Sequence, residues 1–140
     1  MNIYAVTVTF NRKDLLKRTI ECLRKNSPIS KIVVVNNGST DGTGEWLASQ
    51  EDLIVITQEN VGGSGGFYTG IKYAYEAGAD WIWCMDDDVF PREDCLEKLL
   101  EDISFNIPDM EEEKIVIDQE YVKEKFAEKI HAEDIDKYIL

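Results

Sequence analysis

The chain contains no apolar run approaching the roughly 20 residues that cross a bilayer, and its N-terminus lacks a basic-then-apolar signal pattern. Cysteine is sparse: Cys22, Cys84 and Cys95 are scattered, two of them in apolar contexts. They read as buried or inert thiols, not as a disulfide or zinc site. These absences together point to the cytoplasm. Histidine is represented once, by His131 in an acidic helical segment, and is expected at the surface. Positive charge is also short, with 15 Lys and Arg against 28 Asp and Glu and a net charge of −13. That balance argues against nucleic-acid or anionic-membrane binding through general electrostatics. Glycine disappears after Gly78, and the charge shifts there too. Residues 1–95 carry 9 basic and 14 acidic side chains, whereas residues 96–140 carry 6 and 14. The last third therefore reads as a different piece of protein.

What is present alternates regularly. "IYAVTVTF" (3–10) is a short β-branched strand followed by "NRKDLLKRTIECLRKN", whose apolar residues at 15, 16, 20 and 23 predict an amphipathic helix. "KIVVVN" (31–36) predicts a second strand, with a turn-rich loop and a short helix from about residue 43. "LIVIT" (53–57) predicts a third strand. A glycine loop then runs into a helix bearing Phe67, Ile71, Ala74 and Tyr75, stopped by Gly78. "DWIWCM" predicts a fourth strand. Continuous apolar strands alternating with helices specify an α/β fold, a parallel sheet covered on both faces. Ligands of such sheets bind outside the carboxyl ends of the strands. The polar groups "TFN", "NNGSTD", "QENVGGSGG" and "DDD" all fall at those ends and are expected to share one crevice.

Three motifs carry candidate chemistry. In "WIWCMDDDVFP" (81–91), alternation places Asp86 and Asp88 toward one pocket while Asp87 turns aside. Adjacent carboxylates repel unless a cation or hydrogen-bond donors compensate them. Hard oxygen ligands suit Mg²⁺ or Mn²⁺, which use one or two carboxylates together with phosphate oxygens. The bland alternative is a solvated acidic turn leading into a helix begun by Pro91. In "NVGGSGGF" (60–67), glycines open a helix and let backbone N–H groups approach a phosphate. The loop follows the third strand with G-G-x-G-G spacing, which argues against a dinucleotide-binding dehydrogenase. It is otherwise a turn with a tightly packed helix start. "NNGSTDGT" (36–43) is either a turn with Asp41 or Thr43 capping a helix, or a polar shelf for a planar base. Arg12, beside the first strand end, is either surface charge or a diphosphate contact.

Read in order, "VTVTFNR", "VVVNNGSTDGT", "NVGGSGGF" and "MDDDVFP" resemble the nucleotide-sugar half of family 2 glycosyltransferases, in particular the galactofuranosyltransferase-like and rhamnosyltransferase-like members. The resemblance covers about residues 2–95. It implies a Rossmann-like GT-A domain over residues 1–95 that binds a nucleoside diphosphate sugar, UDP-linked, with Mn²⁺ or Mg²⁺. It places Thr7, Thr9 and Asn11 beside the base, Asn36 in contact with it, and Asn60, Gly62, Gly63 and Gly66 around ribose and diphosphate. Asp86 would hold ribose and join Asp88 at the metal, with Asp87 beside the nucleotide sugar. The family usually has Asp at position 36, so Asn36 leaves the base identity open. Family members also carry a catalytic Asp or Glu in a later acceptor-binding half, and acceptors in the parent family can be membrane-associated. With 52 residues after Asp88, that half is not evident, so transfer is expected to be weak or absent unless a homo-oligomer supplies it.

The remainder, "LEKLLEDISFNIPDM...KIVIDQEYVKEKFAEKIHAEDIDKYIL" (96–140), resembles the C-terminal end of the HslU unfoldase, as a helix-strand-helix appendage with an acidic, apolar-tipped tail. In that family such a tail docks on a peptidase, which implies an HslV-like partner. The Walker motifs are absent, so no ATPase activity is implied. The two resemblances meet near residues 92–100, as expected of a chimera.

Overall fold

The computed structural model describes residues 1–106. The chain divides into two units, Met1–Phe105 and Asn106–Leu140, and the described fold is that of the first. Four β-branched or aromatic segments form strands β1 (Ile3–Thr9), β2 (Lys31–Asn36), β3 (Leu53–Thr57) and β4 (Trp81–Asp86). All are parallel, in the order β3-β2-β1-β4. The register aligns Thr9 with Asn36, Asn36 with Thr57, and Val8 with Asp86, so the polar strand ends finish level along one edge.

Helices α1 (Lys13–Arg24), α2 (Thr43–Ala48), α3 (Gly62–Glu76) and α4 (Cys95–Asn106) connect or follow the strands. Leu16, Ile20 and Leu23 of α1 and Leu47 of α2 bury against Ala5, Ile32, Val34 and Met85 on one face of the sheet. Each such side chain, fully withdrawn from water, contributes on the order of 1.5–3 kcal/mol before entropic costs. On the opposite face α3 packs against Tyr4, Val6 and Val33.

Helix α3 departs from its expected form in two ways. The glycines are not a loop ahead of the helix, because Gly62–Gly66 are its opening turn. Its buried stripe is also small-sided, namely Gly66, Gly70 and Ala74, while Ile71 and Tyr75 are exposed. A Cβ on Gly66 would lie 2.5 Å from Val8 Cγ1, and one on Gly70 would lie 2.5 Å from Val6 Cγ1. Glycine therefore lets the helix backbone press onto the sheet, which periodicity of large apolar residues does not reveal. Pro91 does not begin the next helix, since α4 starts at Cys95. Buried Asn26 ties that start down: its Nδ2 donates to the Cys22 and Arg92 carbonyls (3.0 and 3.1 Å), and its Oδ1 accepts from Leu96 N–H at 3.2 Å.

None of the three cysteines is disulfide-bonded. Of the expected buried or inert thiols, Cys84 is not buried, because α3 packs chiefly over β1 and β2 and leaves the outer side of β4 open. No described helix is long and apolar enough to cross a membrane. The expected strand, second helix and tail of the 96–140 segment, with His131, lie outside the described residues.

Candidate functional site

At the carboxyl ends of the strands lies a cleft of about 550 Å³, lined by Val8, Thr9, Phe10, Arg12, Asn37, Asn60, Gly62, Gly63, Phe67 and the three aspartates Asp86–Asp88. Its size falls within the roughly 300–1,000 Å³ typical of small-molecule sites. A smaller cavity of about 210 Å³, near Leu23, Ile29, Ile32 and Asp52, sits at the opposite rim of the sheet and gathers none of the candidate residues.

The acidic turn is asymmetric. Asp86 ends β4 and is exposed, Asp88 is exposed, and Asp87 is turned inward and buried. Asp87 Oδ2 accepts a hydrogen bond from Thr9 Oγ1 at 2.8 Å, and its backbone carbonyl accepts one from Thr19 Oγ1 of α1 at 2.7 Å. Burial pushes the Asp87 carboxyl above its ordinary range, while the Thr9 hydrogen bond and the nearby Arg12 charge oppose that rise. Arg12 Nη1 lies 3.3 Å from Asp87 Oδ1 and 3.2 Å from Asp88 Oδ2. The donors that compensate the aspartates in this structure are thus a threonine hydroxyl and a guanidinium.

A network of carboxamides shapes the other wall. Asn37 Nδ2 donates to the Gly62 carbonyl at 2.9 Å and to Asn60 Oδ1 at 3.3 Å, while Gln58 Nε2 donates to Asn37 Oδ1 at 3.0 Å. Thr69 Oγ1 donates to Gln58 Oε1 at 2.9 Å, and Asn60 Oδ1 also accepts from Gly62 N–H at 3.0 Å. These bonds fix the entry of α3, whose first turn carries no acidic residue to compete with an anion.

Of the residues expected at the site, Thr9, Arg12, Asn60, Gly62, Gly63, Asp86, Asp87 and Asp88 line this cleft, and four do not. Thr7 is fully buried within β1, and its hydroxyl has no hydrogen-bond partner. Asn36, 2% exposed, faces α2 and accepts the Ser39 N–H at 3.1 Å. Asn11, at φ 51°, joins two loops by accepting Thr40 N–H at 2.7 Å and donating its own N–H to Ser39 Oγ at 3.0 Å. Gly66 serves helix–sheet contact. Asn37 and Gln58 lie within the polar stretches expected at the crevice but were not singled out as site residues. Strand alternation was the available signal, because a position one residue beyond Asn36 faces α3 and the cleft.

Asp86 and Asp88 are hard oxygen donors, exposed at the cleft, and fit a Mg²⁺- or Mn²⁺-type cation that completes its coordination with phosphate. They do not form an all-protein cage: no three His, Cys, Asp or Glu side chains converge on a metal position among the described residues.

Comparison with known proteins agrees with this geometry. The mannosyltransferase PcManGT from Pyrobaculum calidifontis, solved in complex with GDP-Man and Mn²⁺, superposes with a TM-score of 0.57 at 20% identity, over 71% of this chain and 31% of that one. The fold is therefore GT-A-like. The galactofuranosyltransferase GlfT1 of Mycobacterium tuberculosis H37Rv is 35% identical over 92 residues, which is 62% of this chain and 30% of that protein. The chain thus spans about a third of the length of the curated galactofuranosyltransferases it matches. A different segment of 45 residues, 32% of the chain, is 53% identical to 10% of the HslU ATPase subunit of Syntrophomonas wolfei. The sequence is thus part glycosyltransferase-like and part HslU-like. A family profile described as glycosyl transferase family 2 matches residues 4–120, and the chain belongs to that family.

Proposed function

We propose that the cleft binds a nucleoside diphosphate sugar, UDP-linked, together with Mn²⁺ or Mg²⁺, as the donor half of a glycosyltransferase. The observation that carries this reading is the convergence of Thr9, Arg12, Asn60 and the three aspartates on one cleft at the sheet's carboxyl edge. Asp88, with Asp86 beside it, would hold the cation. The cation would supply charge stabilisation for the nucleoside diphosphate leaving group. The glycine-opened N-terminus of α3 presents backbone N–H groups to diphosphate oxygens, and Asn37 and Asn60 hold that turn in place. Phe10 and Phe67 line the same cleft and offer apolar surface to a base or ribose.

Among the described residues, the carboxylates lining the cleft are the three of the acidic turn, one of them committed to Thr9 and Arg12. None stands apart to deprotonate an acceptor hydroxyl, so transfer by this chain alone is expected to be weak or absent. Isothermal titration with UDP tests the reading. Binding should need Mn²⁺ and fall about tenfold or more in Asp88→Ala, since even outer partners of metal ligands cost that much. Equal, negligible heats with and without Mn²⁺ in folded protein would contradict it.

A second reading is favoured by the HslU-like segment. In this reading the acidic, apolar-tipped end "EDIDKYIL" docks on an HslV-like peptidase, and the chain acts as an interaction module.

A further inference from the structure

Arg12 is held at one end and loose at the other. Its carbonyl accepts the Leu16 N–H at 2.9 Å at the start of α1, which fixes its backbone beside the cleft. Its side chain is 51% exposed, so the guanidinium has room to turn. The two carboxylates it touches differ. Asp87 is buried and anchored through Thr9 and Thr19, whereas the Asp88 side chain is 47% exposed. A single nitrogen, Nη1, serves both.

We propose that Arg12 is a resident counter-cation that exchanges with the divalent ion. When the ion takes Asp88, the guanidinium releases that carboxylate, keeps Asp87 as its pivot and turns to the diphosphate. This inference rests on the nucleotide-sugar reading of the cleft and adds an order of events to it. A guanidinium and a divalent cation on the same carboxylate would repel at near-contact distance, so the two compete for Asp88. Asp87, buried and fixed through its other oxygen by the Thr9 hydroxyl, is the better place for Arg12 to remain. A diphosphate arriving with the ion offers the displaced nitrogens charged acceptors, which bind guanidinium more strongly than neutral ones do. Arg12 thereby disfavours the ion alone and favours the ion together with the nucleotide.

Two titrations of Arg12→Gln read the two halves of the exchange with opposite signs. Mn²⁺ alone, followed by the electron paramagnetic resonance signal of the free ion, should bind Arg12→Gln about 2- to 5-fold more tightly than wild type, because an exposed competing ion pair is gone. UDP at saturating Mn²⁺, followed by calorimetry, should bind it about tenfold more weakly through loss of a charge-assisted contact. Arg12→Lys provides the control should the glutamine variant fail to fold. Lysine keeps a positive charge for the diphosphate but ends one atom short of the position of Nη1, so it should lose its hold on Asp88: Mn²⁺ should still bind more tightly while UDP stays within about threefold of wild type. Equal constants for variant and wild type in both titrations, or shifts of the same sign, would overturn the exchange. A wild-type protein that takes up Mn²⁺ but no UDP contradicts the nucleotide reading instead, and the Mn²⁺ titration then decides by itself whether Arg12 competes with the ion.

Discussion

A buried hydroxyl without a partner costs stability, and Thr7 Oγ1 is such a group in the centre of the sheet. Thr7 pairs in register with Val34 and Met85, so an isosteric valine would meet apolar neighbours on both sides. Thr7→Val is expected to raise unfolding stability by about 1 kcal/mol, read from urea midpoints at an unchanged slope, and to leave UDP binding as it is. A weakened nucleotide affinity in that variant would place Thr7 at the site after all. The same parity governs the asparagine pair. Asn36 and Asn37 are chemically identical, yet one turns to α2 and the Ser39 turn while the other turns to α3 and the glycines. Residue type proposed an asparagine for the site, and strand alternation selected which one lines the cleft.

At the scale of elements, the strands follow from their β-branched runs, and α1 from its apolar spacing. Helix α3 was harder to read because its fully buried face is glycine and alanine, while Tyr68, Ile71, Tyr73 and Tyr75 are exposed and of its large side chains Phe67 packs on the sheet. Close backbone approach replaces side-chain packing there, and hydropathy does not register it. The approach brings the first turn of α3 next to Val8 and Asn37, so that Gly62 and Gly63 border the cleft. The HslU-like segment calls for its own test. Four residues, Lys137–Leu140, supply the apolar tip of its acidic end. Their removal should abolish co-purification with an HslV-like peptidase while leaving UDP titration unchanged. An undiminished complex would contradict the docking reading.

For the molecule as a whole, the parallel sheet and its polar edge were legible because buried strands and turn-forming loops have different compositions. The cleft was legible as a meeting of strand ends. Its internal wiring was not, since the Asn37–Gln58–Thr69 network joins residues far apart in sequence. Nor did the sequence name Arg12 as the bridge between Asp87 and Asp88. In the proposed reading the acidic turn and the glycine-opened helix face one ligand across this cleft. Crystals grown with UDP and Mn²⁺ test it most directly, through anomalous scattering at the manganese edge. The predicted result is a single strong peak within coordinating distance of Asp88, bridged to a diphosphate that lies against the first turn of α3. A peak at the opposite rim of the sheet, or ordered UDP with no ion near the acidic turn, would contradict the account.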